Sequence, residues 1–185
     1  MTLIKTGLLN SIAVVIRVLT LLGLNKLLAV YVGPAGYAVI GQFQNAITMF
    51  TAFTAGAVSN GVVKYTAEHH EDEARQHDVW RTAGTLTLCS TIVAGVLIAL
   101  FSKSLAGIFL GDVAHADVFR WFAAGLLLYA FNVLLLAILN GKKEVPSFVM
   151  ANIAGSLLSL VLVFVLVSTM GLKGALIGFA VYQSA

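Results

Sequence analysis

Apolar residues run along this chain in long blocks, without the every-second-residue alternation of a barrel strand. The blocks cover roughly 8–32, 37–64, 82–101, 118–139 and 147–168, and a sixth starts near Gly171 and reaches Ala185. A helix needs about 20 residues, at ~1.5 Å each, to cross the hydrocarbon of a bilayer. Runs of this length predict membrane-spanning helices, the form in which every backbone group is satisfied within its own segment. The breaks carry turn chemistry. Gly33-Pro34-Ala35-Gly36 predicts a tight turn between the first two spans, because Pro34 lacks a donor and the glycines are permissive. Asn140 to Pro146 predicts a second turn, and the charged stretch Tyr65–Arg81 and the segment 102–117 predict solvated loops. The expected fold is all-α and integral to the membrane, a single transmembrane lobe over 1–185. The sixth helix stops about two-thirds of the way through a span, which predicts a truncated last helix.

The polar positions inside these blocks form faces. At about 100° per residue, Arg17 shares a face of span 1 with Asn10, Ala13 and Thr20. A charge near the middle of a span costs roughly 2.5–3.5 kcal/mol on insertion scales, so such residues usually mark a pathway. Lys26 is nearer the end of the span, where its stem can snorkel to the headgroups. In span 2, Gly41, Asn45, Thr48, Ala52, Ala55 and Ser59 make one small and polar face, with Phe43, Ile47 and Phe50 beside it and expected to meet lipid. Two readings of that face stay open: close helix packing, or the lining of a hydrated cavity. The hydroxyls of Thr82, Thr85, Thr87, Ser90 and Thr91 are expected to bond back to their own helix. Tyr129 and Asn132, a turn apart near the centre of span 4, are expected to face the interior. Span 5 carries Asn152, Gly155, Ser156 and Ser159 on one face, and span 6 a small-xxx-small pair, Gly174 and Gly178.

Composition sharpens the class. The chain is 59% hydrophobic and 10% charged, with mean hydropathy +0.97, against about 25% charged for a soluble domain. The first apolar block is too long for a cleavable leader and is interrupted by Arg17. The single cysteine, Cys89, can form no intrachain disulfide and no metal site alone. The spacing of His69, His70 and His77 fits no zinc pattern. Asp112, His115 and Asp117 have no nucleophile beside them, and no phosphate-loop glycine motif is present. The expectation is a protein with no catalytic residues, metal or cofactor. The formal charge of +3 is spread between spans and does not suggest nucleic acid.

The sign of the charges points to a cargo. All eight acids, Glu68, Glu71, Asp72, Glu73, Asp78, Asp112, Asp117 and Glu144, fall outside the spans. Within the spans or at their ends stand Arg17, Lys26 and Lys64. Fixed positive charge offsets the cost of desolvating an anion, so the pattern favours a negatively charged cargo such as a phosphate or diphosphate headgroup. If the N-terminus is cytoplasmic, Lys5, Lys64, Arg75, Arg81, Lys142 and Lys143 lie inside and Lys103, Arg120 and Lys173 outside, which agrees with the positive-inside rule.

Four short motifs in order resemble a known family: Lys26-Leu27-Leu28-Ala29, Gly33-Pro34-Ala35-Gly36, Gly41-Gln42-Phe43-Gln44 and Asn60-Gly61-Val62-Val63-Lys64-Tyr65. They resemble the start of Wzx-type flippases, the O-antigen and enterobacterial common antigen (lipid III) translocases. These belong to the multidrug/oligosaccharidyl-lipid/polysaccharide exporter superfamily. The resemblance covers nearly the whole chain and is densest over 17–67. It implies the six-helix N-terminal lobe of a twelve-helix transporter of the bacterial inner membrane. It also implies an undecaprenyl-diphosphate-linked oligosaccharide as cargo, with O-antigen polymerase and other polysaccharide assembly proteins as partners alongside membrane lipids. On this resemblance Arg17, Lys26 and Lys64 would attract the diphosphate, and Asn10, Thr20, Asn45, Thr48 and Asn132 would line a polar lumen. Two other readings stand beside it: a drug or cation antiporter of the same superfamily, and a non-transporting scaffold of polysaccharide assembly. The absence of carboxylates within the spans disfavours the antiporter.

Overall fold

The computed structural model describes residues 3–52, 54 and 57–182. In chain order the helices are α1 (Leu3–Thr51), α2 (Ala57–Glu68), α3 (Glu73–Leu100), α4 (Ser102–Leu105), α5 (Ala116–Gly141) and α6 (Val145–Tyr182). A π-helical turn, Ala106–Leu110, and a 3-10 turn, Val113–His115, join α4 to α5. Among the described residues, four helical segments are long and apolar enough to cross a membrane: Asn10–Thr51, Glu73–Leu100, Val113–Gly141 and Val145–Val181. The chain is an all-α membrane protein.

Two of these segments are hairpins. Gly33 takes φ 72° and ψ 176° inside α1, a left-handed backbone that residues with a Cβ rarely adopt. The Tyr37 hydroxyl then donates to Asn25 Oδ1 at 3.1 Å. Twelve residues of straight helix would separate those positions by about 18 Å, so the arms 3–32 and 34–51 must lie side by side. α6 turns back in the same way at Gly171, φ 57°. Beyond that turn, a methyl on Gly178 would stand 3.2 Å from Val163 Cγ2, and one on Gly174 would collide with the Leu166 carbonyl. The small-xxx-small pair therefore lets the two arms of one hairpin approach closely. The expected stop of the sixth span at Ala185 falls outside the described residues.

Side-chain packing corrects the facing of span 2. Phe43 and Ile47 are fully buried and Phe50 is half-buried, where contact with lipid was expected. Phe43 meets Phe119 edge-on at 5.4 Å and Phe122 at 6.3 Å, and Phe50 meets Phe109 at 6.2 Å. Edge-to-face rings gain a directed attraction that acyl chains do not offer, so the aromatic side of the helix turns inward. The small, polar side is left open: Asn45, Thr48 and Ala52 are exposed and Gly41 and Ser59 half-buried, while Ala55 lies outside the described residues. The surface is otherwise dominated by apolar side chains such as Val30, Val93, Leu100, Leu128, Leu135 and Leu158, as a lipid-facing surface requires.

The buried side chains form two groups. The larger joins Leu24, Leu28, Phe43, Phe119, Phe122, Val163 and Leu176, and so ties both hairpins to α5. The smaller, Val62, Ala83, Leu134 and Ala137, joins α2, α3 and α5 at the other end. There the Trp80 indole N–H donates to Thr66 Oγ1 at 2.9 Å and Gln76 Nε2 to the Thr66 carbonyl at 3.0 Å. The charged stretch 65–81 is also corrected. α2 runs through Glu68, and α3 begins at Glu73, with the Asp72 carboxylate accepting the Arg75 N–H at 3.1 Å as its N-cap. A capping carboxylate with Glu73 behind it satisfies the free donors and the dipole of a helix start, so the loop shrinks to a turn.

Candidate functional site

A cavity of about 380 Å³ opens where four segments converge. The first arm of α1 contributes Arg17, the second Thr48 and Thr51, α5 Tyr129 and Asn132, and α6 Asn152, Gly155, Ser156 and Ser159. Val133, Leu136 and Ala151 fill the gaps between these polar groups. Arg17 is the charged residue among its lining residues. Of the ion pairs among the described residues, Arg75 with Asp72, Lys173 with Asp117 and His70 with Glu71, none includes Arg17. Arg17 thus lines the cavity with no carboxylate paired to it among the described residues.

The wall around Arg17 has a defined polarity. Thr48 Oγ1 donates to the Gln44 carbonyl at 2.8 Å, and Thr51 Oγ1 to the Ile47 carbonyl at 2.9 Å. Asn152 Nδ2 donates to the Phe148 carbonyl, and Ser156 Oγ to the Asn152 carbonyl, both at 2.8 Å. Ser159 Oγ donates to the Gly155 carbonyl at 2.6 Å. Each hydroxyl gives its proton to its own helix and keeps its oxygen lone pairs for whatever enters. The cavity therefore combines one fixed cation with hydroxyl oxygens that accept, beside the Tyr129 hydroxyl and the Asn132 amide, which can also donate.

The structure sorts the residues expected to form the site. It brings Arg17, Thr48 and Asn132 together on this cavity. Thr20, read as lumen-lining, is 5% exposed and packed away from it. Asn10 instead lines a small recess of about 60 Å³ with Asn140, Lys143 and Phe148. Asn45 is exposed but is not among the lining residues. Lys26 is exposed near the Gly33 turn, and Lys64 rests its ammonium over the Tyr65 ring at 5.2 Å, so neither lysine joins Arg17. Thr51 and the α6 residues were not assigned to the pathway from sequence. The three-four spacing of Asn152, Ser156 and Ser159 carried the signal for the latter.

The family profile described as Polysaccharide biosynthesis protein matches residues 3–185. The chain belongs to the polysaccharide biosynthesis protein family. That match takes in every segment that lines the cavity. Two curated relatives carry the name lipid III flippase, one from Escherichia coli (strain K12) and one from Shigella flexneri. Each is 29% identical over 181 residues, which is 97% of this chain and 43% of the relative. The chain thus spans less than half the length of these relatives. No solved structure matches it.

Proposed function

We propose that this chain is the lobe of a translocase that moves undecaprenyl-diphosphate-linked oligosaccharide from the cytoplasmic to the periplasmic face of the bacterial inner membrane. The product would serve O-antigen or enterobacterial common antigen synthesis. The observation that carries the reading is Arg17, a cation without a carboxylate partner among the described residues, on a cavity lined by hydroxyl and amide side chains. The membership of the polysaccharide biosynthesis family and the flippase relatives support it. The diphosphate pairs with Arg17, the sugar hydroxyls donate to the wall, and the isoprenoid tail stays in lipid. The action is transport without covalent chemistry, and no cofactor is invoked. The N-terminus is cytoplasmic, six-against-three basic residues favouring that side. A second lobe would complete the transporter, and the polymerase that uses the product is the natural partner.

The test substitutes Arg17 in the full-length protein, expressed in a strain without its own flippase and read by the lipopolysaccharide ladder. A charge-assisted hydrogen bond contributes about 1.5–3 kcal/mol, or roughly 10- to 150-fold in binding. Arg17→Ala should abolish the ladder at equal membrane levels. Arg17→Lys, which keeps the charge but loses the two-pronged fork, should restore part of it. Equal ladders from both variants would remove Arg17 from the mechanism.

A further inference from the structure

A second recess, about 580 Å³ and almost wholly apolar, lies between α2 and α3. Val58, Val62 and Tyr65 line it from α2, and Asp78, Ala83 and Leu86 from α3. The two helices are joined by the turn at 69–72, so Tyr65 and Asp78 mark the end near that turn and Val58 and Leu86 the far end. The eight-residue step along α3 from Asp78 to Leu86 gives the groove a length of about 12 Å. It begins in the charged part of α3 and runs into the apolar part.

Asp78, at the turn end, is the charged residue lining the groove, and Lys64 lies beside that end, over the ring of Tyr65. The Asp78 carboxylate is in none of the ion pairs among the described residues, and neither is Lys64. No residue lines both this groove and the Arg17 cavity. The groove is therefore separate from the cavity and its cargo.

We propose that this groove is a binding site for one acyl chain of a bilayer phospholipid whose headgroup carries a primary ammonium, of the phosphatidylethanolamine type. The chain lies against Val58, Val62, Ala83 and Leu86. The ammonium donates to the Asp78 carboxylate, and the phosphate sits near Lys64. A choline headgroup has no N–H to donate, so the site discriminates between two lipids that have the same net charge. The proposal rests on the membrane-spanning fold and not on transport, so it stands or falls apart from the flippase reading.

The test uses the protein in nanodiscs of phosphatidylethanolamine and phosphatidylcholine with identical acyl chains. Retained lipid is read by native mass spectrometry after release into detergent. The expected result is one retained lipid, with ethanolamine favoured by about tenfold, the scale of one charge-assisted hydrogen bond. Asp78→Asn, a surface change, should bring the two lipids to parity. Gly61→Leu should remove the retained lipid. A methyl at Gly61 meets nothing within 4 Å, so the side chain fills the groove, and helix content by circular dichroism should be unchanged. No retained lipid in the wild type, or wild-type retention by Gly61→Leu, would overturn the site. Equal retention of the two lipids by the wild type, or a preference that survives Asp78→Asn, would overturn the headgroup assignment. Displacement by an equimolar polyprenyl phosphate would overturn the phospholipid as occupant.

Discussion

Gly141 closes α5 against α2, and replacing it by alanine tests whether this contact holds the smaller core together. The added methyl would lie 2.7 Å from Thr66 Cβ and 3.0 Å from both Thr66 Cγ2 and the Val63 carbonyl oxygen. Thr66 has little freedom to retreat, because its hydroxyl accepts the Trp80 indole N–H and its carbonyl accepts Gln76. Overpacking of a tight contact costs about 1–3 kcal/mol. Displacing Thr66 adds about 1 kcal/mol for a disturbed hydrogen bond. The expected loss for Gly141→Ala is therefore about 2–4 kcal/mol. The assay is reversible unfolding in detergent followed by Trp80 emission, in a background where the other tryptophan, Trp121, is phenylalanine. Thr66→Val supplies the control. It keeps the shape, leaves the half-buried indole N–H without its acceptor, and should cost about 0.5–1.5 kcal/mol. A Gly141→Ala protein within 0.5 kcal/mol of its parent would refute the close approach of α5 and α2.

Three further predictions concern packing and the cavity. Phe43→Ala should cost about 3–5 kcal/mol of unfolding free energy, since it removes a fully buried ring from contact with Phe119 and Phe122, whereas exposed Asn45→Ala should stay within about 0.5 kcal/mol. Equal effects in the same detergent-unfolding assay would mean that the helix faces the other way. A double-mutant cycle of Asp117→Asn and Lys173→Gln should give a coupling of about 0.2–1 kcal/mol, because both partners of this ion pair keep solvent contact. Ser156→Leu should block transport in the ladder assay while leaving the unfolding midpoint unchanged, because the larger side chain enters the cavity and not the core.

The sequence made the helical class legible because long apolar blocks with glycine and proline breaks admit few other structures in a membrane. It made Arg17 legible because a charge at that depth needs a reason. The facing of span 2 was legible only in part. The small, polar face was found, but Phe43 and Ile47 suit a protein core and a lipid tail equally well, so hydrophobicity cannot separate inside from outside there. Lys64 illustrates a different limit. Its charge and its place near the end of the second span put it with Arg17, and only the packing of α2 against α3 and α5 shows it beside Tyr65, away from the cavity. The start of α3 was readable in principle, since Asp72 followed by Glu73 is a capping signal, but the density of charge around it outweighed that signal.

The polarity of the cavity constrains what can occupy it. Because Thr48, Thr51, Ser156 and Ser159 donate to carbonyls of their own helices, they face the cavity as acceptors. A wall of acceptors alone would suit a cation. Arg17 argues against one: two like charges 4 Å apart at an effective dielectric of 20 repel by about 4 kcal/mol. A simple anion would meet Arg17 favourably, with the Tyr129 hydroxyl and the Asn132 amide as further donors, but would leave the acceptors of the wall unused. The arrangement fits a ligand that brings negative charge in one part and many O–H donors in another. A diphosphate attached to a sugar chain has that distribution, and a hydrophobic drug cation does not. Which group donates in each hydrogen bond decides the fit more than the volume of the cavity does. On the proposed function, replacing acceptors by apolar groups, as in Thr48→Val with Ser156→Ala, should weaken handling of a sugar while Arg17 would still attract a diphosphate.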